Sequence, residues 1–325
     1  MWFLARLYLP ICAAVFVGAV VSFVLSLPLL QRRFKRPLHK QLPAYLGRFL
    51  FLIGVPLSIV NFLHGVELSG GVIIAPLVSW VAIFFALFCS WLWIRPHAHR
   101  WPDATQGSFS LATMFGNTGY IGFPVILLLP QLGPEYFGWA VFYDVLGTLL
   151  GAYVLGVILA SRLGGRQGTA QSTANWRQNL RELFKNPTIL AFFLGLALRP
   201  VVFPELLDVG LNGFAWSMVM LSLALMGMRL QQLRSWGKLA PAIAAISLRM
   251  VLVPLVVGMT LTAFGMSGPA RLVMVLQAGM PSAFATLVLA ETYELDRELA
   301  VTCVGFSSAA LLITLPIWLW GFATW

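Results

Sequence analysis

Gly116-Asn117-Thr118-Gly119-Tyr120-Ile121-Gly122-Phe123-Pro124 lies inside an apolar run from about residue 106 to residue 129. Three glycines and a proline interrupt helical hydrogen bonding near the middle of that run. In lipid, each unpaired backbone amide or carbonyl costs several kcal/mol. Such an interruption persists only where protein or a water-filled cavity satisfies it. A second interruption, Ala278-Gly279-Met280-Pro281-Ser282-Ala283, falls near the middle of the run from about 269 to 293. Interrupted segments at corresponding places in two halves of a chain point to the substrate site of a membrane carrier.

The correspondence is positional. Gly116 and Gly279 are 163 positions apart in a chain of 325 residues. The same offset sets Thr118 on Pro281 and Asp144 on Ser307. It also sets the turn Gly133-Pro134-Glu135 on Asp296-Arg297-Glu298, with no gap. Identity is low; what matches is the order of break, turn and following helix.

The composition is 59% hydrophobic and 10% charged, against about 25% charged in soluble domains. Apolar stretches of about 20 residues recur along the chain, which predicts an all-α polytopic membrane protein. The net charge of +10 is then a loop signal, and nucleic acid is not an expected partner. Cys12, Cys89 and Cys303 lie in apolar segments and read as buried small hydrophobes. Residues 1–30 read as a retained first helix, because no small-residue cleavage site followed by a soluble domain is present.

Ten spans are expected, at about 5–30, 42–63, 72–94, 106–130, 136–161, 187–203, 206–228, 239–264, 269–293 and 298–322. Sixteen of the 21 Lys and Arg fall in the connections after spans one, three, five, seven and nine. Only Arg6, Arg199 and Arg271 fall on the other side, while Arg48 and Arg249 lie within spans. The positive-inside rule puts both termini outside and the 162–186 connection in the cytoplasm. Five spans per half is an odd number, so residues 187–325 enter the membrane in the opposite sense to residues 1–161. These are two inverted five-helix repeats joined by a Gly-, Gln- and Ser-rich linker.

The polar residues at depth are few. Asn117 has two roles open to it, contact with substrate or capping of a half-helix. Thr118 and Gly119 share that break. Pro124 and Pro281 create half-helices whose free amide ends suit an anion. The Ser282 hydroxyl either serves the site or bonds back to its helix. Asp144 lies about 13 Å into span five at helical rise, as a proton carrier or half of a structural ion pair. Arg249 lies at a similar depth, about 16 Å from the inner face. It either pairs with Asp144 or binds a substrate carboxylate through its guanidinium fork. His97 and His99 are spaced for a metal but have no third ligand nearby, so no metal is expected. Trp2, Trp101, Trp139, Trp318 and Trp325 sit near span ends as interface anchors. Glu67, Asp208, Glu291, Glu294, Asp296 and Glu298 read as solvated loop acids.

At this point the chain resembles a known family. "FGNTGYIGFPV" in span four, "LQAGMPSAFATLVLAETYELDRELA" in span nine, "LALMGMRL" in span seven and "LPIWLW" in span ten resemble the auxin efflux carrier family. That family includes bacterial permeases for malate, malonate and related organic anions. The resemblance implies a fold shared with bile-acid/sodium symporters, in which broken helices 4 and 9 cross. It implies that spans 1, 2, 6 and 7 form a scaffold and that the remaining spans form a moving transport domain. It also implies a homodimer through helices 1, 2 and 7, in the bacterial inner (plasma) membrane. A substrate site would be built from Asn117, Thr118, Gly119, Pro124, Met280, Pro281, Ser282 and Arg249, with Asp144 for coupling.

The expected function is secondary active transport of a small organic anion, a dicarboxylate or an auxin-like carboxylate. No nucleotide-binding loop is present to supply ATP drive. No cofactor is expected beyond a proton gradient. Sodium is the runner-up, since Asn117, Thr118, Gln277 and Ser282 offer oxygens, but neither break carries a carboxylate to neutralise the ion. An intramembrane enzyme would need a nucleophile–base pair or metal cluster at depth, whereas the four histidines lie in or near loops. A transporter-derived receptor would carry a signalling domain.

The topology predicts that cysteines introduced as Gln167→Cys and Leu68→Cys react with impermeant thiol reagents from opposite sides of the membrane. Labelling of both from one side would overturn the inverted arrangement.

Overall fold

Helices are the only regular elements among the described residues, and one isolated antiparallel bridge is the only extended pairing. The structure, a computed structural model, describes residues 2–27, 38–66, 68, 70–165, 181, 183–232 and 237–322. Residues 166–180 and 182 of the linker lie outside these, as do Arg32, Arg33, Lys35, Arg36, Glu67, Arg234 and Trp325. Six helical stretches are long and apolar enough to span a bilayer: Gln41–His64, Gly70–His97, Pro134–Leu163, Glu205–Gln231, Leu239–Ala263 and Arg297–Phe322. Shorter apolar helices occur at Leu9–Leu25, Thr118–Leu128 and Pro187–Leu198. This is an all-helical, multi-pass membrane protein.

The helices are α1 (Trp2–Leu25), α2 (Leu38–Phe49), α3 (Val55–His64), α4 (Ile74–Ile94), α5 (Asp103–Met114), α6 (Phe123–Leu128), α7 (Phe137–Tyr143), α8 (Val157–Leu163) and α9 (Pro187–Leu198). They continue with α10 (Glu205–Gln232), α11 (Leu239–Ser247), α12 (Val253–Ala263), α13 (Gly268–Ala278), α14 (Phe284–Thr292) and α15 (Arg297–Phe322). Wider π-helical turns interrupt or join them at Leu50–Gly54, Thr118–Gly122, Asp144–Leu149, Ala152–Gly156 and Leu248–Leu252. The chain divides into two units. One comprises residues 1–68, 123–138 and 185–234; the other comprises 69–122, 139–184 and 235–325.

In the first unit α1 lies along α10. A Cβ on Gly227 would stand 1.9 Å from the Val15 carbonyl oxygen, so only glycine allows this backbone approach, as small residues do between membrane helices. The Phe62 ring meets Phe137 and Trp216 edge-on. Helix α9 begins at Pro187, with Asn186 Oδ1 accepting from the Thr188 amide at 2.9 Å. It ends at Leu198, earlier than the expected residue 203. There Arg199 donates to the Val66 carbonyl at 2.9 Å, just before Pro200.

In the second unit a core of Ile94, Phe109, Ala112, Ala242, Ala245, Leu299 and Cys303 packs α4, α5, α11 and α15 together. Small alanines on α11 permit that closeness. The outward side chains of α4, Leu77, Val81, Phe84 and Phe88 among them, are exposed and apolar, as a lipid-facing surface must be.

Several sequence expectations are corrected here. Cys12 is exposed, on the same helix as exposed Leu9 and Phe16. Trp318 is buried and donates from Nε1 to the Met250 carbonyl at 3.0 Å, and Trp139 is buried too. Their indole faces are taken up by packing rather than by the bilayer interface. His97 bonds the Trp93 carbonyl and stacks on the Trp93 and Trp101 rings.

Asp296 is not a solvated acid. It accepts from Lys238 Nζ, from Thr105 Oγ1 at 2.6 Å and from the Leu299 amide at 3.1 Å. Its backbone accepts from Ser108 Oγ and donates to the Ala104 carbonyl. It thereby ties the start of α5, the turn before α11 and the start of α15. Burial pushes its carboxyl up, but the bonds from Lys238, Thr105 and Leu299 outweigh that and hold it below the usual carboxylate range.

A carboxyl held low when folded stabilises the fold above its unfolded pKa of about 3.9. That stability is lost as pH falls through the lower folded value. Asp296→Asn should therefore cost about 1 kcal/mol at neutral pH, the low end for charged hydrogen bonds because Lys238 stays partly in water. The difference from the parent protein should shrink in melts run at progressively lower acid pH.

Candidate functional site

The second unit brings the two interruptions together. Helix α5 ends at Met114, and Phe115 continues in an extended conformation. Helix α13 ends at Ala278, and α14 restarts at Phe284. Between these ends Gly116 and Ser282 form the antiparallel bridge. The Asn117 amide donates to the Pro281 carbonyl at 2.6 Å, and the Ala283 amide donates to the Phe115 carbonyl at 2.9 Å. Pro281 contributes a carbonyl to this pairing and has no amide to satisfy. Each break thus supplies the backbone partners the other lacks, which meets the bilayer's demand for internal satisfaction.

Arg249 fixes the crossing. It sits in the π-helical turn Leu248–Leu252 with 1% of its surface exposed. Nη1 donates to the Met114 carbonyl at 2.9 Å, and Nε donates to the Met280 carbonyl at 3.3 Å. Both carbonyls lie at C-terminal ends of half-helices, where a positive charge is favoured by up to about 2 kcal/mol when buried. A Cβ on Gly116 would stand 2.1 Å from Arg249 Nη2, so the guanidinium occupies the space a side chain would need. The ion pairs among the described residues are Lys238–Asp296 and Arg297–Glu291. The structure therefore gives Arg249 backbone carbonyls as partners and does not pair it with Asp144.

Asp144 opens the π-helical turn Asp144–Leu149 and is buried. Its Oδ1 accepts a short hydrogen bond from Thr118 Oγ1. It stands at the start of the half-helix that begins at Thr118, the positive end of that dipole. Thr118, Asp144 and Arg249 all lie in π-helical turns, which recur at functional sites because they re-aim side chains out of the regular ladder.

Asn117 is a cap, because its Oδ1 accepts from the Tyr120 amide at 3.2 Å. That bond orients the amide and leaves Nδ2 buried with no partner among the described residues. Ser282 neither bonds back to its own helix nor stands free. Its hydroxyl donates to the Ala112 carbonyl at 2.9 Å, and its amide donates to Ser307 Oγ at 3.0 Å. Met280 is buried and serves Arg249 through its carbonyl. Gly119 is half-buried within its π-helical turn. Pro124 is the buried second residue of α6, in the first unit.

Two residues lie outside the expected anion site: Gln277, which the sequence offers only as an oxygen for sodium, and Ser307. Gln277 is fully buried; Nε2 donates to the Ala140 carbonyl at 3.4 Å, and Oε1 has no partner among the described residues. Its signal was a lone amide in the apolar run LVMVLQAGM. Ser307 anchors the second break, and its signal was the offset that aligns it with Asp144.

The contact between Gly116 and Arg249 is testable by a double-mutant cycle. Gly116→Ala should cost about 1–3 kcal/mol by overpacking. In an Arg249→Ala background the same change should cost much less, because the clashing group is gone. Melting curves of the purified variants would measure both costs; equal costs would remove the contact from the account.

Comparison with known proteins identifies the family. A family profile described as "Membrane transport protein" matches residues 38–319. An uncharacterized transporter of Methanothermobacter thermautotrophicus is 29% identical over 280 residues, covering 84% of this chain and 87% of that protein. An uncharacterized transporter of Methanocaldococcus jannaschii is 27% identical over 257 residues, covering 75% of this chain and 77% of that protein. With crossed, mutually satisfied breaks and a family match over most of its length, the chain belongs to the membrane transport protein family, that of the auxin efflux carriers.

Proposed function

We propose that this protein is a proton-coupled secondary active transporter of a small organic anion, working by an elevator mechanism. The observation that carries the reading is the crossing itself. Two broken helices satisfy one another inside the protein, with a buried carboxylate and a buried guanidinium at their ends and no ion pair between them. The anion would be a dicarboxylate such as malate or malonate, or an auxin-like carboxylate. Asn117 Nδ2 is a buried donor still to be satisfied, and half-helix amide ends favour negative charge.

The ten-span, inverted-repeat organisation belongs to the same proposal, with repeats 1–161 and 187–325 and a cytoplasmic linker at 162–186. It is supported by the way each break is tied to the helix that follows it. The Thr118 hydroxyl donates to Asp144, and one position off the corresponding place the Ser282 amide donates to Ser307 Oγ, with Asp144 and Ser307 163 positions apart. The elevator reading is supported by the composition of the two units. The first holds residues 1–68 and 185–234, the expected scaffold spans 1, 2, 6 and 7, together with 123–138, the end of span four and the start of span five; the second holds the rest of the spans expected to move. Exposed apolar side chains on α1, including Leu9, Phe16 and Phe23, support a homodimer through helices 1, 2 and 7. In this reading the protein lies in the bacterial inner membrane with both termini outside. Sodium coupling is the runner-up, favoured by the unsatisfied Gln277 Oε1 and weakened by the lack of a carboxylate in either break.

If Asp144 carries the proton, Asp144→Asn in proteoliposomes should lose uphill accumulation driven by a pH gradient. It should still exchange labelled for unlabelled anion, a process that needs no net proton movement. Accumulation against the gradient with unchanged pH dependence would remove Asp144 from the mechanism. Replacement of sodium by choline throughout separates the runner-up.

A further inference from the structure

We infer that α4 carries a docking site for an anionic phospholipid of the cytoplasmic leaflet, with the phosphate on Arg95 and Arg100 and an acyl chain along Phe84, Phe88 and Trp91. Leu77, Val81, Phe84, Phe88 and Trp91 are each more than half exposed. They follow one another at alternating intervals of four and three residues, which at 3.6 residues per turn keeps them on one side of the helix. Arg95 comes four residues after Trp91 and continues the turn, its amide donating to the Trp91 carbonyl. Its side chain is exposed. An apolar stripe therefore ends in a guanidinium.

The dimensions fit one leaflet. Helix α4 lies in the apolar stretch Gly70–His97, which is long enough to span a bilayer, so Arg95 stands near its end. From Phe84 to Arg95 the helix rises about 16 Å, close to half of a hydrocarbon core of roughly 30 Å. A chain lying on Phe84, Phe88 and Trp91 thus brings its headgroup to Arg95. The guanidinium is already ordered. Its Cζ stands 5.4 Å from the centroid of the Trp91 ring, which stacks on Phe88 at 6.1 Å. Yet neither Arg95 nor Arg100 has an ion pair or side-chain hydrogen bond among the described residues. An ordered fork with open donors is what a phosphate engages through two oxygens.

Charge selects the headgroup. Arg100 is exposed in the turn that follows, its amide donating to the His97 carbonyl at 2.9 Å. Asp103 is the acid nearest in sequence, and with both arginines it leaves a surplus of one positive charge. His97 takes no part, because Nδ1 bonds the Trp93 carbonyl and the ring stacks on Trp93 and Trp101. Choline and ethanolamine headgroups offer the same phosphate but bring a cation, which that surplus repels; a glycerol headgroup brings none. A second copy of this chain is the poorer occupant. Helix α4 contains no acid, so packing two copies along the stripe would cover Arg95 with no opposite charge to meet it.

The leaflet follows from the orientation proposed above; the site itself is independent of what the carrier moves. The test uses the purified full-length protein in phosphatidylcholine vesicles, with the same lipids in both leaflets. Part of the lipid is replaced by phosphatidylglycerol, or by phosphatidylcholine, with brominated acyl chains, which quench nearby tryptophans. Subtracting the Trp91→Phe signal in each background isolates Trp91. The fractions of the two brominated lipids that half-quench Trp91 give the preference. The parent protein should prefer phosphatidylglycerol by about fivefold for each arginine, the weight of a basic side chain at an anionic surface. Arg95→Ala with Arg100→Ala should abolish the preference; both side chains are exposed, so the core is spared. Arg95→Lys keeps the charge and should retain most of it, and Arg48→Ala, an exposed arginine of the other unit, should leave it unchanged. Equal quenching by the two lipids in the parent, or a preference that survives the double substitution, would overturn the site. Release of phosphatidylglycerol by inorganic phosphate, beyond that caused by chloride at equal ionic strength, would also overturn it, in favour of a soluble anion. No readout involves transport, so each outcome leaves the proposed function as it stands.

Discussion

Backbone hydrogen bonding in a medium without water is the constraint on which this structure depends. A helix satisfies its own amides and carbonyls, and a broken one does not. Here two helices are broken, and the deficit is met by laying Phe115–Asn117 antiparallel to Pro281–Ala283. The pairing works only where both breaks reach the same place. The position of one interruption in the chain therefore constrains the other, although more than 160 residues separate them. The remaining carbonyls fall to Arg249 and to the hydroxyl of Ser282.

Charge follows from that geometry. The half-helices end in negative dipoles where Arg249 donates, and one begins with a positive dipole where Asp144 accepts. Two buried charges that would be costly alone are each given hydrogen bonds of the right polarity without being joined to one another. The Asp144 carboxylate is held through one oxygen by a single hydroxyl, and Arg249 through two backbone carbonyls. The π-helical turns under both residues are consistent with backbone irregularity placed where function needs it.

A second polar assembly lies at the end of the same unit. Asp296 gathers the first turn of α5, the entry to α11 and the first turn of α15, three segments distant in sequence. Its bonds are worth little beside the apolar core above it, yet they set where those helices start.

The sequence by itself determined that the chain crosses a membrane many times and where its helices break. It also determined which residue types at depth are expensive enough to need a purpose. Hydrophobic runs, glycine and proline are local signals, and their consequences for the backbone are local too. Asp144 and Arg249 stood out because a charge in an apolar run is costly wherever it folds. Tertiary structure alone decided their partners. Arg249 could have met Asp144 or a ligand, and it met the Met114 and Met280 carbonyls, 135 and 31 positions away. Asp296 looked like a loop acid until folding brought Thr105 and Lys238 to it from 191 and 58 positions away. Gln277 and Ser307 likewise acquired their partners, the Ala140 carbonyl and the Ser282 amide, only through folding. A hydrogen bond depends on distance in space, and sequence pattern reports distance only along the chain.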